Sequence, residues 1–389
     1  MSRNQERPLG LRPLGLACRA DTALTDVEKM VFADHLRAEG ISDNVFNLFA
    51  EWVARSTPAV TFFYLKAMRD GELVGLGLFI RIKPVDLRTS YGALRRRPFL
   101  NRLARGFSVL SNKCLYISFR NLVTANLTRP FFYRDPSVAG EVMRAMLAFL
   151  KKEKGADMVT IIDTLDQDAL YRGEGFIPHA SSSEAVLDPS RFGSLDGYLG
   201  AHRNLKKNLA RRKITAYAEV HRGIVRDADR RGMKDCVACS VGVSNVNNPC
   251  QAFFEEHVFD TEAFRSDDYL HVIVRAEGAI AGFHTFLVSG ECLGGVLGGF
   301  NREVARNQFA YERVILASLE YALAHGLRRV NYSLIDNQTK LRLIDTRVPC
   351  ALYFFSRNPV NRKFFHLTYR FNDVHNLAEL ERNGPELLG

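Results

Sequence analysis

The sequence predicts a mixed α/β fold built twice in tandem, and three observations carry that prediction. The chain of 389 residues exceeds the roughly 250–300 residues at which a single hydrophobic core stops growing. Its apolar runs alternate between strand and helix periodicity in one order, and that order recurs. A hairpin signature recurs with it: MRDGELVGL at 68–76 matches RAEGAIAGF at 275–283, with Gly71 and Gly278 separated by 207 residues.

In the first half, LGLACRA reads as a short strand, followed by helical patterns across 25–38 and 42–55 and the strand TFFYLKAMR. Asp70-Gly71 then turns the chain into ELVGLGLFIRI, a strong hairpin signal. Beyond a basic stretch at 81–113 come the strand CLYISFRNLV, a helix over 138–153, the strand DMVTIID, a short helix at 166–173 and a strand near 183–188. In the second half, ITAYAEVHRG is a strand, with helical patterns around 225–240 and 251–266. YLHVIVRAEGAIAGFHTFLVS is a hairpin turning at Glu277-Gly278, and ECLGGVLGGF is the next strand. A helix at 310–325, the strand RRVNYSLI, a short helix at 338–344 and the strand CALYFFS complete the copy.

A second pair of landmarks, FLKKEKGADMVTIID and EYALAHGLRRVNYSLID, places Gly155 and Gly326 only 171 residues apart. The first copy therefore holds 36 more residues between its landmarks, close to the length of 81–113, which reads as an insertion. The meander followed by βα crossovers fits a mixed sheet in each copy.

A content of 47% hydrophobic and 25% charged residues belongs to an ordinary globular chain, not a disordered one. The net charge of +10 is local: 81–113 carries +8 and 202–213 carries +6, so the remainder is −4. Two such patches suit an anionic partner, whether a CoA phosphate, a nucleotide or a tRNA backbone. No run approaches the roughly 20 apolar residues of a membrane span, and MSRNQERPLGLRPLGL lacks the apolar core of a signal peptide. A cytoplasmic location is expected. Seven scattered cysteines do not form the framework of a secreted domain. Cys236-Val-Ala-Cys239 with Cys250 and His257 has zinc-ligand chemistry but lacks the second tight ligand pair of a structural site, and no metal is expected.

Residues 202–213, HRNLKKNLARRK, raise the functional question. Wound as a helix, Tyr198, His202, Leu205 and Leu209 form one stripe and the cations cover the rest. Together with the D-G hairpin and the sequence Leu170-Tyr171-Arg172-Gly173-Glu174-Gly175-Phe176, this segment resembles the GNAT acyltransferase fold present twice, as in Fem-type aminoacyltransferases and related acetyltransferase-like proteins. His202-Arg203-Asn204-Leu205-Lys206-Lys207 is similar to the basic helix at the junction of the two halves in Fem-type proteins. The resemblance spans roughly 14–358 and implies an α/β fold with mixed sheets, in two tandem GNAT-like (acyl-CoA N-acyltransferase) domains. The predicted division is a GNAT-like domain over 1–195 with the basic insertion, a basic junction helix over 196–213, a second GNAT-like domain over 214–360 and a tail over 361–389.

The resemblance implies an N-acyltransferase that passes an acyl group from a carrier to an amine of a small-molecule or peptide-like acceptor. Its carbonyl would sit where the two central strands splay, in the second copy ECLGGVLGGF and RRVNYSLI. Gly298 and Gly299 would let the carrier approach the backbone. Alternation puts Asn331 and Ser333 on one face and Tyr332 on the other, with Tyr332 or Ser333 a proton donor to the leaving group. Lys340 is the candidate oxyanion stabiliser, carried over from a Fem-type lysine, and Asp336 is the carboxylate nearest in sequence; Glu303 and His284 are further candidate bases, His284 being read first as a satisfied core histidine. The phosphate loop of acyl-CoA enzymes is missing from both copies, which leaves Arg302, Arg306 and Arg313 as side-chain candidates for carrier phosphate. Arg203, Lys206, Asn331 and Arg342 are the candidate substrate contacts. Acyl-CoA is the first reading of the co-substrate and aminoacyl-tRNA, held by 81–113 and 202–213, the alternative; a non-catalytic twin-GNAT binding protein is the other class, and no tightly bound cofactor is expected.

Overall fold

The computed structural model describes residues 16–38, 42–82, 114–118, 130–152, 156–180, 184–211, 215–244, 265–301, 304, 308–334, 338–344 and 346–363. The first half runs β1 (Ala17–Asp21), α1 (Asp26–Met30), α2 (Ala33–Ala38), α3 (Asn44–Ala54), β2 (Val60–Arg69), β3 (Glu72–Ile82), β4 (Cys114–Ser118) and β5 (Phe131–Tyr133). It continues through α4 (Ala139–Lys152), β6 (Ala156–Thr164), α5 (Asp168–Gly173), β7 (Ile177–Ala180) and β8 (Glu184–Leu187). The second half begins with α6 (Leu195–Ala201) and α7 (Arg203–Arg211), followed by β9 (Tyr217–Arg222), α8 (Asp227–Ser244), β10 (Tyr269–Ala276), β11 (Ala279–Ser289) and β12 (Cys292–Phe300). It closes with α9 (Ala310–Ala324), β13 (Arg329–Leu334), α10 (Gln338–Leu343), β14 (Thr346–Val348) and β15 (Cys350–Ser356).

The two hairpins match in backbone detail. Asp70 and Gly71 have φ of 53° and 85°, Glu277 and Gly278 of 53° and 82°, the pair of positive values that a two-residue turn needs to follow strand twist. Each hairpin also has a bulge three residues before its turn, between Ala67 and Met68 in one and Val274 and Arg275 in the other. Those positions are again 207 apart, so the repeat read from the sequence extends to an irregularity of the ladder.

Strand order in the first sheet is β1-β2-β3-β4-β6-β15-β7, with β5 also on β3; in the second it is β14-β8-β13-β12-β11-β10-β9. The two orders are the same plan, but each half gives one strand to the other's sheet. β8 pairs antiparallel with β13, and β15 pairs antiparallel with β6 and β7. The predicted division at 195/196 thus follows the chain and not the sheets. Neither half completes its sheet alone.

Burial explains the layers. α4 presents Val142, Met143, Met146, Leu147 and Leu150 on one face, at helical spacing, and packs them on the first sheet. In the second half α9 does the same with Val314, Ile315 and Leu319. The opposite faces of both sheets meet in one continuous core containing Phe49, Trp52, Phe62 and Leu76 from the first half and Cys236, Ile273, Phe283 and Leu287 from the second. Asn44 and Ser42 fasten this contact: Asn44 Nδ2 donates to the Val288 carbonyl at 2.8 Å and the Ser42 N–H donates to Ser289 Oγ at 2.8 Å. On the first sheet's outer edge, buried Lys66 draws β1 and α1 together by donating to Glu28 at 2.7 Å and pairing with Asp21 at 3.1 Å.

Among the described residues no helix is long and apolar enough to cross a membrane. The junction is two helices and not the single one read from the stripe: α6 ends at His202, whose ψ of 59° leaves the helical region, and α7 starts anew at Arg203. Tyr198 and Leu205 are buried as the stripe requires, and the Tyr198 hydroxyl donates to the Leu343 carbonyl at 2.6 Å, tying α6 to α10. The basic stretch 83–113 and the helical pattern around 251–264 lie outside the described residues.

Candidate functional site at the splayed strands of the second half

β12 and β13 run parallel and pair at Cys292–Arg329, Leu293–Val330 and Gly294–Asn331, and then part. From Gly295 to Phe300 the β13-facing edge of β12 has no strand partner among the described residues. The splay predicted for these two strands is therefore present. Within it β12 bulges: Thr285 faces Leu297 while Phe286 faces Gly295, and Val296 is left out of the ladder. Such a bulge re-aims backbone groups at a place where no neighbour takes them.

His284 sits over this stretch. It pairs with Gly298 across the ladder, is 6% exposed, and stands 4.5 Å from the Phe286 ring and 6.3 Å from the Tyr332 ring between centroids. A Cβ at Gly295 would lie 2.7 Å from its Nε2 and one at Gly298 would lie 2.6 Å from its Nδ1, so these two glycines make room for the imidazole. Both ring nitrogens are buried without a hydrogen-bond partner among the described residues. A satisfied core histidine, the first reading from sequence, is not what the structure contains. Burial, and secondarily the charge of Lys340, lowers the His284 pKa to about 3, so the ring is neutral at physiological pH.

Lys340 is buried on α10, close enough for its charge to act on His284. On the far side of the splay, Asn331 Nδ2 donates to Glu184 Oε2 at 3.2 Å. Glu184 belongs to β8, the strand contributed by the first half, and is 0% exposed; Arg329 approaches it at 4.0 Å. The exchanged strand thus brings a carboxylate to the second sheet. Sequence reasoning missed it because its segment belongs to the other copy.

A cleft of about 670 Å³ lies between α7, the start of α9 and α10. Arg203 and Lys207 line it from α7, Arg342 and Leu343 from α10, and Phe309 and Glu312 from the start of α9. Arg342 is two residues along α10 from Lys340, so one short helix serves both the splay and the cleft. Phe309 holds the helix start in the left-handed region, φ 53° and ψ 38°, with no side-chain cap, a conformation that costs a bulky residue about 1–3 kcal/mol.

The predicted residues divide accordingly. Arg203 and Arg342 line the cleft; Lys206 does not, and Lys207 does, because one residue along α7 turns the side chain by about 100°. Tyr332 is corrected from proton donor to core residue: its hydroxyl bonds Ser318 Oγ at 2.6 Å and the Ile315 carbonyl at 3.4 Å, and burial pushes its pKa well above the ordinary value. Gly298 and Gly299 admit the protein's own groups and not a carrier, Gly298 the His284 ring and Gly299 the α8 backbone, where a Cβ would lie 2.8 Å from Val237 N. Arg313 stands in the first turn of α9 outside the cleft lining, with its Nε buried and unpartnered among the described residues. The side chain of Ser333, together with Arg302, Glu303, Arg306 and Asp336, lies outside the described residues. So do Cys250 and His257; Cys236 is buried on α8, its thiol pushed up to about 11 by burial, with Sγ donating to the Ile280 carbonyl at 3.6 Å.

The architecture has counterparts among solved structures. A tandem GNAT protein from the clavulanic acid biosynthesis pathway superposes with a TM-score of 0.52 at 12% identity, over 89% of this chain and 99% of that one. FemX superposes with a TM-score of 0.51 at 10% identity, over 90% and 100%. The chain has a tandem GNAT-like fold. L-PGS from Bacillus licheniformis aligns with a TM-score of 0.49 at 10% identity, over 84% and 95%. No family model and no curated protein matches the sequence. Within the tandem GNAT-like fold, the signal that could have singled out His284 was available: it is the one ionisable residue in the apolar run AIAGFHTFLVS, and its counterpart 207 residues earlier is Gly77.

Proposed function

We propose that the chain is an N-acyltransferase and that its second half carries the reaction. The observation that supports this reading most is the parting of β12 from β13 beyond Gly294–Asn331, beside buried His284 and Lys340. An acyl carbonyl lodged there accepts a hydrogen bond from a β12 N–H that no strand takes. As the amine attacks, charge grows on the carbonyl oxygen and Lys340 stabilises it; neutral His284 offers a further N–H without titrating. Burial strengthens each of these interactions relative to water. Arg203, Lys207 and Arg342 give the cleft a cationic wall suited to an anionic group of a substrate.

Acyl-CoA is the first donor in this reading. The exposed cations along α7 favour aminoacyl-tRNA as a second, since a polyanionic carrier is held by many phosphate contacts. The acceptor is an amine of a small-molecule or peptide-like compound. Purified chain incubated with acetyl-CoA and an amine panel, with free thiol as the readout, tests the first donor; loss of acid-precipitable label from a mixture of aminoacyl-tRNAs tests the second. One donor should be consumed in a manner that requires Lys340, whereas consumption of neither, or consumption untouched by Lys340→Met, overturns the reading.

A further inference from the structure

The cleft between α7, α9 and α10 holds one group that a plain phosphate site does not call for. Its cations are Arg203 and Lys207 on α7 and Arg342 on α10, and Glu312, half-buried in the first turn of α9, lines the same space. A carboxylate in a first turn ordinarily serves the helix dipole from a solvated position. Glu312 is instead drawn partly out of water. Burial raises its pKa above the usual carboxylate value, with its own backbone N–H the group acting against that and no cation doing so. It forms no ion pair with any of the three cations, so it is not placed there to neutralise them.

A fully anionic ligand would find three attractive groups and one repulsive one. A ligand carrying an amine as well as an anion would use all four. We propose that this cleft is the acceptor site, and that it takes an amine bearing an anionic group such as a phosphate monoester, with Glu312 binding the ammonium and Arg203, Lys207 and Arg342 the anion.

The assignment rests on the acyl-transfer reading for its chemistry. Glu312 takes one proton from the ammonium, giving the free amine and a neutral carboxyl. The amine nitrogen forms the C–N bond to the acyl carbon as the bond from that carbon to the carrier's sulfur or oxygen breaks, and the second nitrogen proton goes to the departing thiolate or alkoxide. Glu312 then releases its proton to water. Beside it stand His202 at the break between α6 and α7, Arg203 and Lys207 from α7, Arg342 from α10 and Arg313 one residue along α9. Amine binding therefore strengthens as pH rises through the raised Glu312 pKa, where the carboxylate forms.

Calorimetric titration of the full chain with O-phosphoethanolamine, glycerol 1-phosphate and ethanolamine tests this without any acyl transfer, so it stands or falls separately from the reaction. Phosphoethanolamine should bind about tenfold more tightly than glycerol 1-phosphate, equivalent to about 1.4 kcal/mol. Glu312→Gln should abolish that preference while retaining glycerol 1-phosphate binding, which also shows the variant to be folded; Arg203→Gln should weaken both phosphates. Equal binding of the two phosphates by the wild type, or a preference that survives Glu312→Gln, overturns the proposal. Displacement of phosphoethanolamine by free CoA or deacylated tRNA would give the cleft to the carrier and overturn it as well.

Discussion

The two halves share one strand plan and the same bulged hairpin, yet they fill the centre of that plan in opposite ways. In the first half Gly77 pairs with Phe131, Leu76 with Phe132 and Gly75 with Tyr133. At positions 207 residues on, His284 pairs with Gly298, Phe283 with Gly299 and Gly282 with Phe300. At Gly77–Phe131 and its counterpart His284–Gly298, large and small have changed places, whereas Gly75–Tyr133 and Gly282–Phe300 keep the same arrangement. In the first half the ring comes from the crossing strand: Phe131 packs 5.6 Å from Phe79, and Phe79 covers Gly77, where a Cβ would lie 2.7 Å from its ring. In the second half the ring comes from the hairpin and is an imidazole. Volume is conserved and chemistry is not, so the first copy is closed by a hydrocarbon plug where the second presents polar groups.

Moving the plug across tests that difference most severely. Gly298→Phe would drive a ring into the space of His284 Nδ1, 2.6 Å from the Cβ position. The single variant should therefore lose both stability and all measurable transfer. Adding His284→Gly reproduces the first half's Gly–Phe pairing. The double variant should melt several degrees above Gly298→Phe alone and remain inactive, with thermal unfolding and turnover measured on the same samples. Recovery of turnover along with stability would show that the imidazole and its glycines merely pack.

Lys340→Met should come next in effect. It keeps the length of the buried stem and removes the charge, and loss of one oxyanion-stabilising group lowers turnover by about 10²–10³-fold. The effect should fall on kcat with little change in KM, because the charge on the carbonyl oxygen exists only in the transition state. The first half supplies the control. Phe131→Ala empties a buried ring from an aromatic cluster and should destabilise by about 3–5 kcal/mol, measured by denaturant unfolding, while the folded fraction keeps its turnover.

Much of this comparison could be read in the sequence, and the rest could not for definite reasons. Local signals fixed local structure: the D-G and E-G turns, the strand CALYFFS and the helix at 310–324 lie where periodicity puts them. Short strands such as β5, β7 and β14, three or four residues each, carry too few positions for a period to register. The exchange of β8 and β15 is invisible to periodicity, because an apolar strand fits either of two similar sheets equally well. That is also why Glu184 escaped notice: its partner Asn331 is 147 residues away. Lys340 was reached by resemblance and Arg203 by charge, but Lys207 and Glu312 come together only through the packing of α7 beside the start of α9, which no local signal in the sequence carries. His284 illustrates a different limit. Its pairing with glycine was in the sequence, but a histidine in an apolar run is usually satisfied, and whether a partner exists depends on the bulge at Val296 and the parting of β13.

The smallest expected effect isolates His284 by acid. Its pKa is lowered from 6.5 to about 3 in the folded chain, so below pH 6.5 the unfolded chain binds a proton that the folded one refuses. Stability is therefore full above about 6.5 and falls as pH drops towards 3, by at most about 1.4 kcal/mol per pH unit from this residue. The paired carboxylates Glu28, Asp21, Glu219 and Asp229 have pKa values lowered in the folded state. Their contribution starts to be lost near about pH 5, where carboxylates in the unfolded chain begin to protonate, and disappears as pH falls through the lowered folded values. Between about pH 6.5 and about pH 5 the falling slope belongs to the histidine; Glu312, whose folded pKa is raised by burial, works the other way and stabilises as pH drops, so the comparison is made in a Glu312→Gln background. Denaturant midpoints taken across that interval should decline for Glu312→Gln alone and flatten when His284→Gln is added. Lys340→Met should give an intermediate slope, since removing the neighbouring charge lets the imidazole titrate nearer its ordinary value while burial still holds it down. No glycine-for-histidine counterpart of this slope exists at Gly77, so the acid response belongs to the second half alone; a slope unchanged by His284→Gln would mean that the ring is already hydrogen-bonded to water and that the splay is less dry than its lining implies.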